Sequence, residues 1–239
     1  MNFSGFSDFL QGAEDVDERL MAAIAADAQD FSRDDEPALN FYISRDSLND
    51  FYVTVTELHG EYKNFSAGSF LCRSFIFSGK YLTLAGALMF GNIIRVRAAL
   101  NYSPHIEIEE RNIWDAYKNI LPRLANQLSA RCSEAFQEIF INALLHSDYK
   151  IDNSVNISIM PDPPKVLIDN PGIIKRRSRN HRLKKIFELA GMSRRSRGLE
   201  AVERYAPSFR LVEDAQKFRV VASLELEGRD EITDEARVI

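Results

Sequence analysis

Cysteine is scarce in this sequence, and that scarcity excludes two classes of protein. Among 239 residues only Cys72 and Cys132 are cysteines, and they stand far apart. A disulfide-stapled domain needs several paired cysteines, and a structural zinc site needs ligands at close spacing. Both thiols are therefore expected to be free, which fits the reducing environment of a cytoplasmic protein.

Long hydrophobic runs are also missing. No apolar stretch is long enough to cross a bilayer, because a spanning helix needs about 20 such residues. The first eight residues, MNFSGFSD, carry no basic segment of the kind that opens a secretory signal. We therefore expect no membrane partner. The content of 45% hydrophobic and 27% charged residues is that of an ordinary globular protein, long enough for one large domain or two small ones.

Charge is small in sum but uneven along the chain. The formal net charge is −5, with acid concentrated in residues 14–36 and 225–235. Base is concentrated in residues 175–197, which hold Lys175, Arg176, Arg177, Arg179, Arg182, Lys184, Lys185, Arg194, Arg195 and Arg197. Such a basic segment on an acidic protein indicates an anionic ligand, either a nucleotide or a nucleic acid. Phe187 is its only aromatic residue, which argues against a stacking platform for single strands.

Hydrophobic periodicity predicts an α+β protein. Period-two alternation predicts two hairpins, and periodicity near 3.6 predicts helices around them. The expected helices cover 15–28, 82–90, 112–131 with a kink or division at Pro122, a segment capped by Ser133, 182–190 and 199–204. The expected strands cover 51–56, 70–77, 93–100, 106–108, 155–159, 165–169, 208–212 and 218–226. This order predicts a two-layer α/β sandwich with helices on one face of a mixed sheet.

One helix presents polar side chains in a pattern suited to chemistry. Glu138, Asn142 and His146 are four residues apart, so they fall on one face beside an apolar stripe. A carboxylate can orient and deprotonate a water molecule, and an amide oxygen is a hard ligand suited to magnesium. The alternative is a polar stripe at the edge of a core helix, in which the two residues contribute only solubility.

These residues carry a resemblance to a known superfamily. The segment 138–149, EIFINALLHSDY, resembles the N-box of the GHKL ATPases, the superfamily of gyrase, the MutL proteins and histidine kinases. The segment IDNPG at 168–172 resembles the first glycine box, and SRGL at 196–199 resembles the second. The pair Arg179–Asn180 is similar to a pair in the C-terminal ATPase-like domain of bacterial RecG-related or putative transcriptional regulator proteins, and the segment 82–91 resembles the segment that precedes that domain. The motifs occur in the order expected for the superfamily, and the ordered set is stronger evidence than any single motif.

The resemblance implies a Bergerat-type fold that binds ATP with magnesium. It implies that Asn142 holds the metal on the phosphates and that Glu138 polarises the attacking water. Asp169 would accept a hydrogen bond from the adenine amino group, and Gly172 would allow close approach of the base. The remaining expected ligand residues are Arg179, Asn180, Ser196 and Gly198. Gly198 would form a phosphate cradle, but Ser196 stands where the box usually has its first glycine.

Four regions and two functions follow as expectations. The regions are an N-terminal α+β part (1–70), a connecting segment (71–131), a GHKL-like ATP-binding domain (132–228) and an acidic tail (229–239). The first function is a magnesium-dependent, slowly hydrolysing ATP-binding switch, acting as a homodimer or on a partner protein. The alternative is a regulator that kept the fold, lost the nucleotide, and binds nucleic acid or an acidic partner through residues 175–197.

Overall fold

The computed structural model describes residues 43–78, 81–101, 106–174, 180–192, 202, 206 and 208–226. Its helices are α1 (Arg45–Leu58), α2 (Ala67–Arg73), α3 (Leu84–Phe90), α4 (Ile113–Asp115), α5 (Leu121–Ala125), α6 (Ala130–His146) and α7 (His181–Leu189). A 3₁₀ helix covers Gly60–Asn64, and a π-helical turn covers Ala116–Ile120. Within these residues no helix has the length and apolar character needed to cross a bilayer.

Six strands form one mixed sheet. They are β3 (Arg95–Leu100), β4 (Ile106–Glu110), β5 (Ser154–Pro161), β6 (Pro164–Pro171), β7 (Arg210–Asp214) and β8 (Arg219–Glu225). The order across the sheet is β4-β3-β5-β6-β8-β7, and every neighbouring pair is antiparallel except the parallel pair β3–β5. A separate two-stranded ribbon joins β1 (Phe77–Ser78) to β2 (Tyr81–Leu82).

The sheet buries one of its faces in the core. Alternate residues of its central strands are buried, and these include Val96, Val155, Ile157, Val166 and Ile168. The helix α6 packs on β6 and contributes fully buried Phe136 and Phe140 to the same core. The residues between them on each strand lie on the opposite face and are half-buried or exposed. The predicted α+β sandwich, with helices on one face of a mixed sheet, is therefore confirmed.

The helices before the sheet pack around a cluster of aromatic side chains. The ring of Phe51 contacts Phe70, Phe90 and Trp114 with centroids 6.1, 5.1 and 5.3 Å apart. These residues come from α1, α2, α3 and α4, and they belong to the same core as the sheet. The predicted limit between the first two regions, at residue 70, therefore passes through a packed cluster.

The predicted strand at 51–56 is wrong, because these residues lie in the helix α1, and the predicted strand at 70–77 is wrong over 70–73, which lie in α2. The predicted helix at 15–28 and most of that at 199–204 lie outside the described residues. Phe51 and Val55 are β-formers, but together with Leu48 they are spaced three and four residues apart and are all buried. That spacing places them on one face of a helix, where tertiary packing overrides β propensity. Ser44 begins the helix by accepting a hydrogen bond from the backbone N–H of Ser47.

Pro122 changes the local helix geometry but does not divide the segment. Residues 113–125 are helical throughout, with a π-helical turn at Ala116–Ile120 directly before α5, in whose first turn Pro122 stands. The predicted cap at Ser133 is wrong, since α6 begins after Ser129, whose side chain accepts from the N–H of Cys132. Both hairpins agree with the prediction, and so, to within two residues at each end, do the helices predicted at 82–90 and 182–190.

Candidate functional site

The helix α6 holds the carboxylate and the amide of the predicted site side by side. Asn142 Nδ2 donates to Glu138 Oε1 at 3.2 Å, and both side chains are half-buried. No other described residue bonds either group. Because the amide nitrogen of Asn142 faces the carboxylate, its oxygen points away from Glu138. The pair therefore offers an acidic group and a neutral oxygen ligand at one edge of the buried helix.

The register of the β5–β6 hairpin decides which residue at the end of β6 faces α6. Val166, Ile168 and Asn170 are buried on the helix side, whereas Asp169 lies on the other face between Asn156 and Val221. Side chains alternate along a strand, so a shift of one residue changes the face. The predicted meeting of Asp169 with Glu138 and Asn142 is therefore wrong: Asp169 is separated from them by the sheet.

Asp169 is instead bound by an arginine on the outer face. Arg219 Nε and Nη2 donate to the two carboxylate oxygens of Asp169 at 2.8 and 2.9 Å. Arg219 Nη1 also contacts Asp152 at 2.5 Å, and the Ser154 hydroxyl donates to the same Asp152 oxygen at 2.6 Å. Burial alone would raise the pKa of Asp152, but the hydrogen bond from Ser154 and the charge of Arg219 hold it below its ordinary value. This network ties β5, β6 and β8 together and is a structural clamp.

Asn170, and not Asp169, is the polar residue at the end of β6 that faces the helix layer. Its side chain is 5% exposed and faces the helix layer. Its Nδ2 donates to the backbone oxygen of Pro171 at 3.3 Å, and no described residue donates to its Oδ1. A buried amide oxygen without a donor is unusual in a folded protein. Asn170 is therefore the group at this end of β6 that is suited to accept a hydrogen bond from a ligand.

Gly172 ends the strand in a conformation that favours glycine. Its φ is 130°, and its N–H donates to the Phe218 carbonyl at 2.7 Å. A side chain would be strained at that φ. The need for glycine that the sequence predicted is thus present in the backbone, where the residue turns the chain away from β8.

The end of α6 is fastened to the end of β6. The N–H of Asp148 donates to the Pro171 carbonyl at 2.8 Å. Asn180 Nδ2 donates to the carbonyls of Leu145 and Ser147 at 2.9 and 3.0 Å, which satisfies acceptors at the C-terminal end of the helix. The sequence predicted Asn180 as a ligand residue, whereas the structure gives its amide nitrogen a structural role. These bonds fix Asn170 relative to α6.

Part of the predicted site lies outside the described residues. This applies to Arg179, Ser196 and Gly198, and to most of the basic segment. Of that segment the structure shows α7, where Arg182, Lys184 and Lys185 are exposed. Lys185 Nζ lies 4.8 Å from the centre of the Phe75 ring. The described residues therefore contain the α6 pair and the end of β6, whereas the second glycine box and most of the basic segment lie outside them.

The donor set restricts what cation could be held here. In the described part of the chain, no three His, Cys, Asp or Glu side chains converge as a metal site. One carboxylate and one amide oxygen on α6 could not form a closed protein cage for a metal. They do fit magnesium that takes its other ligands from water and substrate phosphates, which is the usual arrangement for that ion.

A signal for Asn170 was present in the sequence. Val155, Ile157 and Ile159 alternate in phase with Val166 and Ile168, so continuing that phase places residue 170 on the buried face. The clamp at Arg219 had no comparable signal, because its three strands meet only in the folded sheet.

Comparison with known proteins supports the fold. No family model and no curated protein sequence matches the chain. Among solved structures, the DIP2311 protein from Corynebacterium diphtheriae is similar, with a TM-score of 0.64 and 13% sequence identity. The similarity covers 78% of this chain and 38% of that chain, so this chain corresponds to less than half of that protein. At this identity the likeness is one of α+β fold alone.

Proposed function

We propose that this chain is a magnesium-dependent ATP-binding protein of GHKL type, with nucleotide binding used as a regulatory switch. The observation that carries the proposal is the convergence of α6 with the end of β6. Glu138 and Asn142 bond to each other on the helix, and the buried Asn170 oxygen faces the helix layer with no described donor. The ordered sequence boxes that resemble those of GHKL ATPases support the same interpretation.

Asn170 would read the base in place of Asp169. Its amide nitrogen is bonded to the Pro171 carbonyl, which leaves its amide oxygen as the group that would accept from a ligand. That oxygen accepts a hydrogen bond from the amino group of adenine, whereas guanine presents a carbonyl at the same edge and would leave two acceptors facing each other. Adenine is therefore the expected base.

Glu138 and Asn142 would act at the phosphate end. Magnesium, when bound with ATP, neutralises phosphate charge and makes the terminal phosphate easier to attack. The Asn142 amide oxygen is the group on this chain that would hold the ion. The Glu138 carboxylate would orient a water molecule and accept its proton. A hydrogen bond from Asn142 keeps that carboxylate in place.

Calorimetric titration of the whole chain with ATP, with and without magnesium, tests the proposal. Asn170→Leu removes the acceptor at similar volume and should weaken ATP binding by about tenfold or more. Asp169→Asn is the matched control, one residue away on the opposite face, and should change affinity by less than about threefold. Glu138→Ala should retain binding and lose turnover. A wild-type chain that binds no ATP with magnesium, or a larger loss in Asp169→Asn than in Asn170→Leu, would refute this function.

One observation favours the alternative of a regulator without nucleotide. By sequence, Asp169 matches the adenine-binding aspartate, but it is paired with Arg219 on the face of the sheet opposite α6. In that case the basic residues of 175–197 would bind a polyanion. Filter binding of DNA and RNA over a range of salt concentrations separates the two, since a steep salt dependence without nucleotide favours the alternative.

A further inference from the structure

The two outer strands of the sheet differ in how they would meet a copy of themselves. In the described part of the chain, β4 and β7 each have a single neighbouring strand. An outer strand carries a row of backbone donors and acceptors that can pair with another chain, and proteins commonly block such pairing with charge. The sequences of the two strands are IEIEE (106–110) and RLVED (210–214).

Strand β4 repels a second copy. If two β4 strands pair antiparallel about their central residue, Ile108, then Glu107 of each copy lies opposite Glu109 of the other. Like charges directly opposite are destabilising. Glu109 is also bound by Arg97 and Arg111 of its own chain at 2.6 and 2.7 Å, so β4 offers a second copy no complementary charge at this edge.

Strand β7 is complementary to itself. Antiparallel pairing about Val212 places Arg210 of each copy opposite Asp214 of the other, and Val212 opposite Val212. Val212 is 59% exposed, the highest value among the large hydrophobic residues exposed in the described chain. Arg210 and Asp214 lie on the same sheet face as Val212, because they are two residues away on each side. Every pair on that face is thus favourable, two by opposite charge and one by apolar contact.

We propose that two copies of this chain associate through β7 and form a continuous twelve-stranded sheet around a two-fold axis. The number follows from joining two six-stranded sheets. The interface is isologous, as in most homodimers, since the same five residues meet from both sides. It places the helix layers of both copies on the same side of the joined sheet. The proposal rests on the sheet edge alone and is independent of nucleotide binding.

The interface is small, so the association is concentration-dependent. Five paired residues in each copy bury much less than the ~1,600 Å² of a standard interface. We expect a dissociation constant of about 10–100 µM. The β7–β8 turn also holds Gly172 through the Phe218 carbonyl, so the paired strands and the end of β6 belong to one connected part of the sheet.

Sedimentation equilibrium of the full chain without nucleotide, from about 1 to 500 µM, measures the association. Val212→Lys places two ammonium groups together at the axis and should weaken the dimer by about tenfold or more. Leu58→Lys is the matched control, because Leu58 is a similarly exposed apolar residue (55%) on α1. It should leave the dimer unchanged.

A charge exchange tests the register. Arg210→Asp alone places the new aspartate of each copy opposite Asp214 of the other copy. The two like-charged pairs should weaken the dimer. Adding Asp214→Arg restores opposite charges in every pair and should recover the association. Circular dichroism and thermal melting establish that each variant is folded, since Asp214 also accepts from the N–H groups of Gln216 and Lys217.

Disulfide trapping gives an independent measurement in a Cys72→Ser background. Val212→Cys should form a covalent dimer on mild oxidation, because residues opposite each other in antiparallel strands are within disulfide reach. Glu213→Cys is the control. Residue 213 is exposed on the same strand, but it lies diagonally from residue 213 of the other copy, too far for a disulfide bond. A wild-type monomer at all concentrations would overturn the proposal. So would a dimer insensitive to Val212→Lys, or equal crosslinking at positions 212 and 213.

Discussion

Replacement of Arg219 by methionine is expected to be among the most damaging changes on the outer face of the sheet. The guanidinium lies between Asp169 and Asp152, with contacts of 2.8 and 2.5 Å. Methionine keeps much of the apolar stem and removes the charge. The two carboxylates are then left near each other without a cation, and β8 loses its side-chain connection to β5 and β6.

The magnitude follows from the exposure of the groups. Ion pairs on an open surface contribute about 0.2–1 kcal/mol, whereas breaking a fully buried pair costs about 3–5 kcal/mol. The Arg219 side chain is 16% exposed, and its two partners are 35% and 39% exposed. The network lies between these limits, so we expect Arg219→Met to lower the free energy of unfolding by about 2 kcal/mol.

Urea unfolding followed by circular dichroism measures this loss. Arg97→Met is the matched control on the same face, because Arg97 binds Glu109 at 2.6 Å but is 53% exposed. Its loss should stay below about 1 kcal/mol. The double variant Arg219→Met with Asp169→Asn should be less destabilised than the two single changes predict together, since it removes a stranded charge. Equal losses in Arg219→Met and Arg97→Met would refute the reasoning.

Three further outcomes are expected. Gly86→Ala should destabilise by about 2 kcal/mol or more despite better helix propensity, because its Cβ would lie 2.5 Å from the Ile76 carbonyl oxygen; unfolding in urea measures it. Gly68→Ala, with nothing within 4 Å of the new methyl, should be neutral or stabilising by up to about 1 kcal/mol. The pKa of Asp152 is lowered in the folded protein. Its charged form therefore stabilises the fold at any pH above the ordinary aspartate pKa. This stabilisation is lost as the pH falls through the lowered pKa. The stability gap between wild type and Arg219→Met should therefore be constant from pH 7 to pH 5 and should shrink below about pH 4; a constant gap at acid pH would contradict this.

Periodicity in the sequence was a sound guide wherever one face of an element is buried. The β5–β6 and β7–β8 hairpins and the helices near 84–90 and 181–189 were predicted because their apolar residues repeat at the period of the structure. At α1 the prediction relied on β propensity instead, because β-branched and aromatic residues suggested a strand, and it was wrong. Their spacing of three and four residues was the better signal, because packing around Phe51 determines the conformation there.

In the candidate site, too, one part was predictable from the sequence and another was not. The pattern of Glu138 and Asn142 followed directly from helical geometry, since residues four apart meet on one face whatever surrounds the helix. Motif similarity at 168–172 did not decide between Asp169 and Asn170, because neighbouring residues of a strand point to opposite faces. The alternation of Val166 and Ile168 was the better signal for residue 170, and the pairing of β6 with β5 and β8 agrees with it.

The sequence alone determined the elements whose cause is local: helical stripes, hairpin alternation, the glycine at position 172 and the absence of cysteine pairing. Only the tertiary structure decided that Asp169 is clamped by Arg219 and that β7 is an outer strand. The physical reason is that register, strand order and burial arise from contacts between residues far apart in the chain. A local pattern is consistent with several such arrangements, and the packing of the core selects one.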